Sequence, residues 1–137
     1  MRTRFALNLE EVERMIDAAM AEAARERWPV SIAIVDDYGI PIVVVRMDEA
    51  SAMSPATAIE KARSAAVTGL PTKMLEAMVG ERPAVATIGR VAVEGGLPIL
   101  FQGQRVGGIG VSGVQSEQDA QVAEAGLKAI ANLLGAP

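Results

Sequence analysis

Residues 95–119, which read GGLPILFQGQRVGGIGVSGVQSEQD, constrain the fold more than any other stretch of this chain. The apolar segment 97–101 predicts a strand, residues 102–104 a tight turn around Gly103, and residues 106–111 a second strand. The second strand contains several glycines, which weaken strands. Their density therefore indicates that a helix, another subunit or a ligand approaches this backbone closely.

The hairpin leads into a last helix over residues 117–134. Ser116 begins this helix and Asp119 follows three positions later, which is a capping-box pattern, while Gly135 ends it. Gly126 lies in mid-helix, where it costs about 1 kcal/mol relative to alanine and makes sense if another backbone touches the helix. The free N–H groups at the helix start suit a carboxylate, and the alternative is a plain strand-to-helix turn.

Helical and strand patterns also alternate upstream of the hairpin. Residues 81–94 fit either a strand or a helical turn. Because the strands are apolar on both faces, the chain predicts a single α+β domain, residues 1–137, with α/β/α layers around an antiparallel sheet of about five strands. The predicted upstream elements are a helix over 9–27 capped by Asn8 with Glu11, strands over 30–35 and 40–45, a helix capped by Ser54 with Pro55 at its first position, and a short helix over 73–79 capped by Thr72.

The composition excludes several classes of protein. Half of the 137 residues are apolar but only four are aromatic, so aliphatic side chains must build the core. The net charge of −4 argues against a nucleic-acid partner. The chain has no cysteine and no histidine, which removes disulfides, thiol chemistry and the commonest general base and metal ligand. Because no apolar run has bilayer length, we expect a cytoplasmic protein without a membrane partner.

Three apparent motifs do not predict a dinucleotide-binding site, a nucleophilic serine or a metal site. Residues 108–113, GIGVSG, match the dinucleotide pattern GxGxxG, but their glycines lie within a strand and not after one. Ser112 does not have the spacing of a nucleophile elbow and has no histidine as its base. The acidic pairs at 36–37 and 48–49 are typical of solvated turns, so we predict no metal site.

Lys61 is the strongest candidate for contact with a ligand. It lies on a helix with a stripe of small residues, so its ammonium is expected to reach the sheet edge, where backbone N–H groups are also available. One positive charge together with several N–H donors suits a ligand carboxylate or propionate. The alternatives are a solvated helix edge, an ion pair with a carboxylate such as Glu94, and a Schiff-base lysine. The predicted ligand-binding residues are Lys61, Gly95, Gly96, Ser112 and Gly113.

Several short motifs follow one another in a recognisable order. They are Val35 and Asp36 with Gly39, residues 46–48, Lys61 and Ala62 with Ala65 and Ala66, residues 95–99, and residues 107–113. With these motifs the chain resembles the GlcG/HbpS family, which also supplies the C-terminal domain of PduO-type proteins. The resemblance covers nearly the whole chain, and GGLPI followed by GGIGVSG is its most specific part.

The resemblance implies a profilin-like domain with a five-stranded antiparallel sheet, and homo-oligomers that are octamers in some members. Some members bind haem, and others belong to operons of glycolate, propanediol or aromatic catabolism. Because this chain has no histidine, iron would need Tyr38, a methionine such as Met47 or Met53, a lysine or a hydroxyl. We therefore expect any haem complex to be weak.

Three hypotheses of function follow. The first is an oligomeric small-ligand-binding protein, with the second helix or the last hairpin at an interface, whose ligand is a haem-like tetrapyrrole or a small organic acid. The second is a cofactor-free isomerase or lyase of a catabolic pathway, which uses Lys61 or a carboxylate for proton transfer. The third is a subunit that only assembles with partners and stabilises them.

Overall fold

The computed structural model describes residues 1–88 and 91–133, which form four α-helices and four strands. This confirms the α+β class. None of the described helices is long and apolar enough to cross a membrane. In chain order the elements are helix α1 (Leu9–Glu26), strands β1 (Ser31–Asp36) and β2 (Pro41–Arg46), helices α2 (Ser54–Thr68) and α3 (Thr72–Glu81), a short 3-10 helix (Pro83–Thr87), strands β3 (Gly96–Phe101) and β4 (Gln104–Ser112), and helix α4 (Ser116–Lys128).

The strands form one antiparallel sheet in the order β2-β1-β4-β3. The inner strand β1 pairs with β2 on one side and with β4 on the other. In this register Ser31 of β1 lies opposite Arg46 of β2 and opposite Ser112 of β4. The turn between β3 and β4 has positive φ at both Gln102 (50°) and Gly103 (79°), which matches the twist of a two-residue hairpin. The hairpin that organises the sequence is therefore also the one that builds half of the sheet.

Helices cover both faces of the sheet, and alternate residues of β1 define those faces. Ile32 and Ile34 pack into the larger core together with α1 and α4, whereas Ala33 and Val35 pack against α2. Successive side chains of a strand point to opposite faces, so both faces of this strand need apolar residues. All four side chains are fully buried, as a strand covered on both sides requires.

The glycines of β4 let α2 lie directly on the sheet. A Cβ atom on Gly110 would stand 2.2 Å from the carbonyl oxygen of Ala58, and one on Gly108 would stand 2.3 Å from that of Ala62. These distances are far below van der Waals contact, so only glycine fits this approach. Gly126 likewise allows α4 to lie close to α1 where the two helices cross. Of the three explanations for the glycine density, a closely packed helix accounts for these positions.

Three helices begin at residues that the sequence pattern assigns to caps. Ser54, Thr72 and Ser116 are the first residues of α2, α3 and α4, so their prediction as capping residues is wrong. The hydroxyl groups of Ser54 and Thr72 form tertiary hydrogen bonds instead. At α4 the capping box consists of Gln115 and Gln118. Serine and threonine serve caps and tertiary contacts equally well, and sequence does not separate the two roles.

The borders of two other stretches also differ from the sequence pattern. α4 ends at Lys128 and not near residue 134; the predicted stop at Gly135 lies outside the described residues. Within 81–94, the 3-10 helix Pro83–Thr87 occupies part of the stretch that fits a strand or a helical turn, and residues 89 and 90 again lie outside the description. The described part of the chain therefore contains four strands where about five are expected.

Candidate functional site

Lys61 lies on α2 and is buried, with 2% of its surface exposed. Its Nζ donates to the carbonyl oxygen of Val111 at 3.0 Å and forms an ion pair with Oδ2 of Asp119, also at 3.0 Å. These contacts join α2, β4 and α4 at one end of the sheet. Because a lone ammonium is costly to bury, the carboxylate of Asp119 is what allows a lysine at this position.

Asp119 is the second buried charge of this cluster. Its Oδ1 accepts a hydrogen bond from the backbone N–H of Val114 at 3.1 Å, so both carboxylate oxygens have partners. Burial raises the pKa of the Asp119 carboxyl above its ordinary value, while the charge and hydrogen bond of Lys61 and the Val114 N–H act in the opposite direction. The carboxylate thus anchors the start of α4 to both α2 and the preceding turn.

Gly95 and Gly96 lie next to the ion pair and have no side chain that would occupy this space. A Cβ on Gly95 would lie 2.8 Å from Nζ of Lys61, so glycine leaves the space that the ammonium occupies. Gly95 also has a φ of 132°, which disfavours other residues. The N–H of Gly96 donates to Oγ1 of Thr72 at 2.8 Å. This backbone donor, which the sequence assigns to a ligand, is therefore paired within the protein.

Ser112 and Gly113 lie at the end of β4, next to the start of β1. Ser112 stands opposite Ser31 in the strand register. A Cβ on Gly113 would stand 2.6 Å from the carbonyl oxygen of Pro29, so this glycine packs against the chain that enters β1. The first three predicted binding residues thus form one cluster, and these two lie beside it on the β1 side. Their role in ligand binding stays a prediction.

Two residues of the cluster, Asp119 and Thr72, are not among the binding residues that the sequence predicts. The capping patterns assign Asp119 and Thr72 to helix starts, whereas both side chains serve the surroundings of Lys61. The ion-pair partner is Asp119 and not Glu94. A signal was present in the sequence, since a lysine on a stripe of small residues needs a buried carboxylate. The sequence does not say which of 17 acidic residues supplies it.

The side chains suggested as iron ligands differ in accessibility. Tyr38 and Met53 are exposed, at 69% and 75%, whereas Met47 is partly buried against the larger core. Of these three named side chains, Tyr38 and Met53 are therefore the two that a large ligand can reach without opening the fold. Within residues 1–88 and 91–133, no group of three His, Cys, Asp or Glu side chains is arranged to hold a metal ion.

An apolar cavity of about 200 Å³ lies between the N-terminal segment, the last hairpin and the turns that follow α4. Phe5 and Phe101 meet there edge to face, with ring centroids 4.5 Å apart. Sites that enclose a drug-sized ligand measure about 300–1,000 Å³, so this cavity admits only one edge of such a ligand. The other apolar residues that line it are Ala6, Leu7, Val106, Ile130 and Leu133.

Comparison with known sequences gives a match over most of the chain. Residues 7–128 match the family model HbpS-like, whose description is haem degrading protein HbpS-like. Protein GlcG of Escherichia coli strain K12 is 38% identical over 114 residues, which cover 82% of this chain and 85% of GlcG.

Solved structures extend the similarity to the fold. A double mutant of HbpS from Streptomyces reticuli has a TM-score of 0.89 at 32% identity, over 93% of this chain and 89% of that chain. A complex of PduOC with haem has a TM-score of 0.84 at 30% identity, over 92% of this chain and 96% of that chain. Sequence and structure therefore point to the same group of proteins.

Proposed function

Because this chain belongs to the HbpS-like family, we propose that it is a small-ligand-binding protein whose ligand is a haem-like tetrapyrrole. The observation that carries the proposal is the similarity to PduOC, which was solved as a haem complex and matches 92% of this chain. The shared fold makes a shared class of ligand the simplest expectation, and the side chains of this chain decide how that ligand is held.

Two features favour a tetrapyrrole bound at the surface and not enclosed. The apolar cavity beside Phe5 and Phe101 is large enough only for the edge of a macrocycle. The accessible candidate ligands for iron, Tyr38 and Met53, stand on exposed loops. With no histidine in 137 residues, an axial bond would come from a phenolate or a thioether, and we expect weak binding.

Titration with haemin, followed by the Soret band, tests this proposal. We expect a saturable shift without the spectrum of a bis-histidine site, because the chain has no histidine. Tyr38→Phe and Met53→Leu identify the axial ligand, since the variant that lacks it should lose the shift. Met74→Leu is the matched control, because Met74 is exposed but lies on α3.

A Soret change that never saturates in the wild-type protein would contradict tetrapyrrole binding. A complex that survives gel filtration would instead show that the expectation of weak binding is wrong, and that the exposed side chains form a better site than their separate positions suggest. Both results come from the same sample and are distinguishable.

We further propose that the protein is a homo-oligomer with α2 or the last hairpin at an interface. Val67 of α2 and Leu100 of β3 are large apolar residues with 42% and 41% of their surfaces exposed. Contact with a second copy would remove this apolar surface from water.

A small organic acid at the Lys61 cluster stays a prediction for Lys61, Gly95, Gly96, Ser112 and Gly113. A ligand carboxylate there has to replace Asp119 as the partner of Nζ, because the two are 3.0 Å apart and buried. Lys61→Met keeps the aliphatic stem and removes the charge. Thermal stabilisation by small carboxylates that is unchanged in this variant would exclude the site.

A further inference from the structure

We propose that an arginine-lined groove at the turn end of the sheet binds a small organic anion with two or more carboxylates. The groove measures about 700 Å³, within the range of about 300–1,000 Å³ that is typical of ligand sites. Arg2, Arg4 and Arg105 line it together with the turn residues Tyr38 and Gly103. This inference goes beyond the tetrapyrrole proposal and uses a different surface from the Lys61 cluster.

Two turns and the N-terminal segment build the groove. The β1–β2 turn and the β3–β4 turn lie at the same end of the sheet, because β1 and β4 are antiparallel neighbours and one ends where the other begins. The edge-to-face contact between Phe5 and Phe101 holds the N-terminal segment beside the second turn. The segment therefore brings Arg2 and Arg4 next to both turns.

Arg4 is held in place but keeps free donors. Its Nη1 lies 2.9 Å from Oδ2 of Asp37, and its guanidinium carbon lies 4.5 Å from the ring centroid of Tyr38. Half of its side-chain surface is exposed. Its Nε and Nη2 have no hydrogen-bond partner in the described part of the chain. An incoming carboxylate thus meets a guanidinium whose orientation is already set by an ion pair and a cation–π contact.

Arg105 also lines the groove and is anchored as well. Its Nη1 donates to the carbonyl oxygens of Ala66 and Val67, at the C-terminal end of α2. A cation is favourable there because the carbonyl end of a helix is negative. Both of these hydrogen bonds use the same nitrogen, and Nε and Nη2 of Arg105 form no hydrogen bond among residues 1–88 and 91–133.

The charge of the groove is opposite to that of the chain. Three arginines and one carboxylate residue, Asp37, line the groove, in a protein with a net charge of −4. A guanidinium binds a carboxylate through two parallel hydrogen bonds, which suits planar acids better than halide ions. Several arginines around one space favour a ligand that carries more than one such group.

Isothermal titration with citrate, at constant ionic strength set by sodium chloride, tests the proposal. We expect saturable binding to the wild-type protein. The double variant Arg2→Gln and Arg4→Gln should raise Kd about tenfold or more, since it removes two charge-assisted contacts. Arg14→Gln is the matched control, because Arg14 is an exposed arginine on α1 with a similar ion pair.

Absence of saturable citrate binding in the wild-type protein overturns the proposal. Equal Kd values for the wild type and the double variant also overturn it, as does an equal loss in the Arg14→Gln control, which would indicate unspecific attraction of anions. Circular dichroism checks that the exposed substitutions leave the fold intact. Haemin titration of the double variant is a separate measurement, so failure here is distinguishable from failure of the tetrapyrrole proposal.

Discussion

At the scale of single residues, the ion pair of Lys61 and Asp119 joins the two helical layers. Lys61 belongs to α2 and Asp119 to α4, and these helices pack on opposite faces of the sheet. Each side chain exposes 3% of its surface. A buried ion pair adds little net stability compared with an apolar pair, but the loss of one partner leaves the other unpaired. We infer that the pair sets the position of α4 relative to α2.

Lys61→Met should lower the free energy of unfolding by about 3–5 kcal/mol, because Asp119 then stays buried without a cation. Urea denaturation followed by circular dichroism measures the change. Lys73→Met is the control, since Lys73 is exposed on α3 and its loss should stay within about 0.5 kcal/mol. A loss below about 1 kcal/mol for Lys61→Met would show that the buried pair is dispensable.

The raised pKa of Asp119 predicts the direction of a pH effect. The folded protein binds this proton more tightly than the unfolded chain, in which the carboxyl has its ordinary pKa of 3.8. The stability contributed by this proton is therefore complete below pH 3.8 and is lost as pH rises through the pKa of the folded state.

Asp119→Asn removes this contribution. The free energy of unfolding of the wild type minus that of the variant should therefore decrease as pH rises from about 3.5 through the pKa of the folded state, as measured by urea denaturation at each pH. If the difference stays constant or increases over this interval, the carboxyl is not harder to ionise in the folded state.

At the scale of elements, the contact between β4 and α2 depends on a missing side chain. Gly110→Ala places a Cβ 2.2 Å from the carbonyl oxygen of Ala58, so the helix has to move. We expect a loss of at least about 1–3 kcal/mol in the free energy of unfolding, the usual cost of overpacking. Thermal and urea denaturation both measure it.

Gly80→Ala is the matched control for this prediction. A Cβ on Gly80 meets no atom within 4 Å, and the residue lies within α3. Alanine is a better helix former, so this variant should gain up to about 1 kcal/mol. If Gly110→Ala proves as stable as the wild type, α2 does not lie as close to the sheet as the structure shows.

At the scale of the whole molecule, apolar surface remains after the layers have packed. The edge strands β2 and β3 each have a neighbour on one side only within the described sheet. Val67 and Leu100 are exposed on α2 and β3, the two regions proposed for an interface. Open strand edges and exposed apolar side chains are features that proteins cover by association.

Light scattering at micromolar concentration should therefore give a multiple of the 14.3 kDa chain mass. Val67→Glu or Leu100→Glu should shift the mass towards that of the monomer, because a charge in an apolar interface is costly. Leu9→Glu is the control, as Leu9 is exposed but belongs to α1, which is neither of the two proposed regions. A monomer mass for the wild-type protein would end the oligomer proposal.

The sequence by itself determined the features that depend on neighbouring residues. Asn8 and Glu11 form the capping box of α1, and Gly103 has the positive φ of a hairpin turn, both as their local patterns predict. The apolar run of β1 is buried on both faces, because burial on two sides leaves no alternation of polar residues. The family is likewise confirmed, since its motifs are short and local.

Only the tertiary structure decided which distant groups meet. Lys61 and Asp119 are 58 positions apart, and no spacing in the sequence links them. The same holds for Arg4 and Arg105, which line one groove because two turns coincide at one end of the sheet. Periodic patterns record which face of an element is buried, but not which element covers it. The partners of buried charges and the sites between elements therefore follow from the packing of the layers.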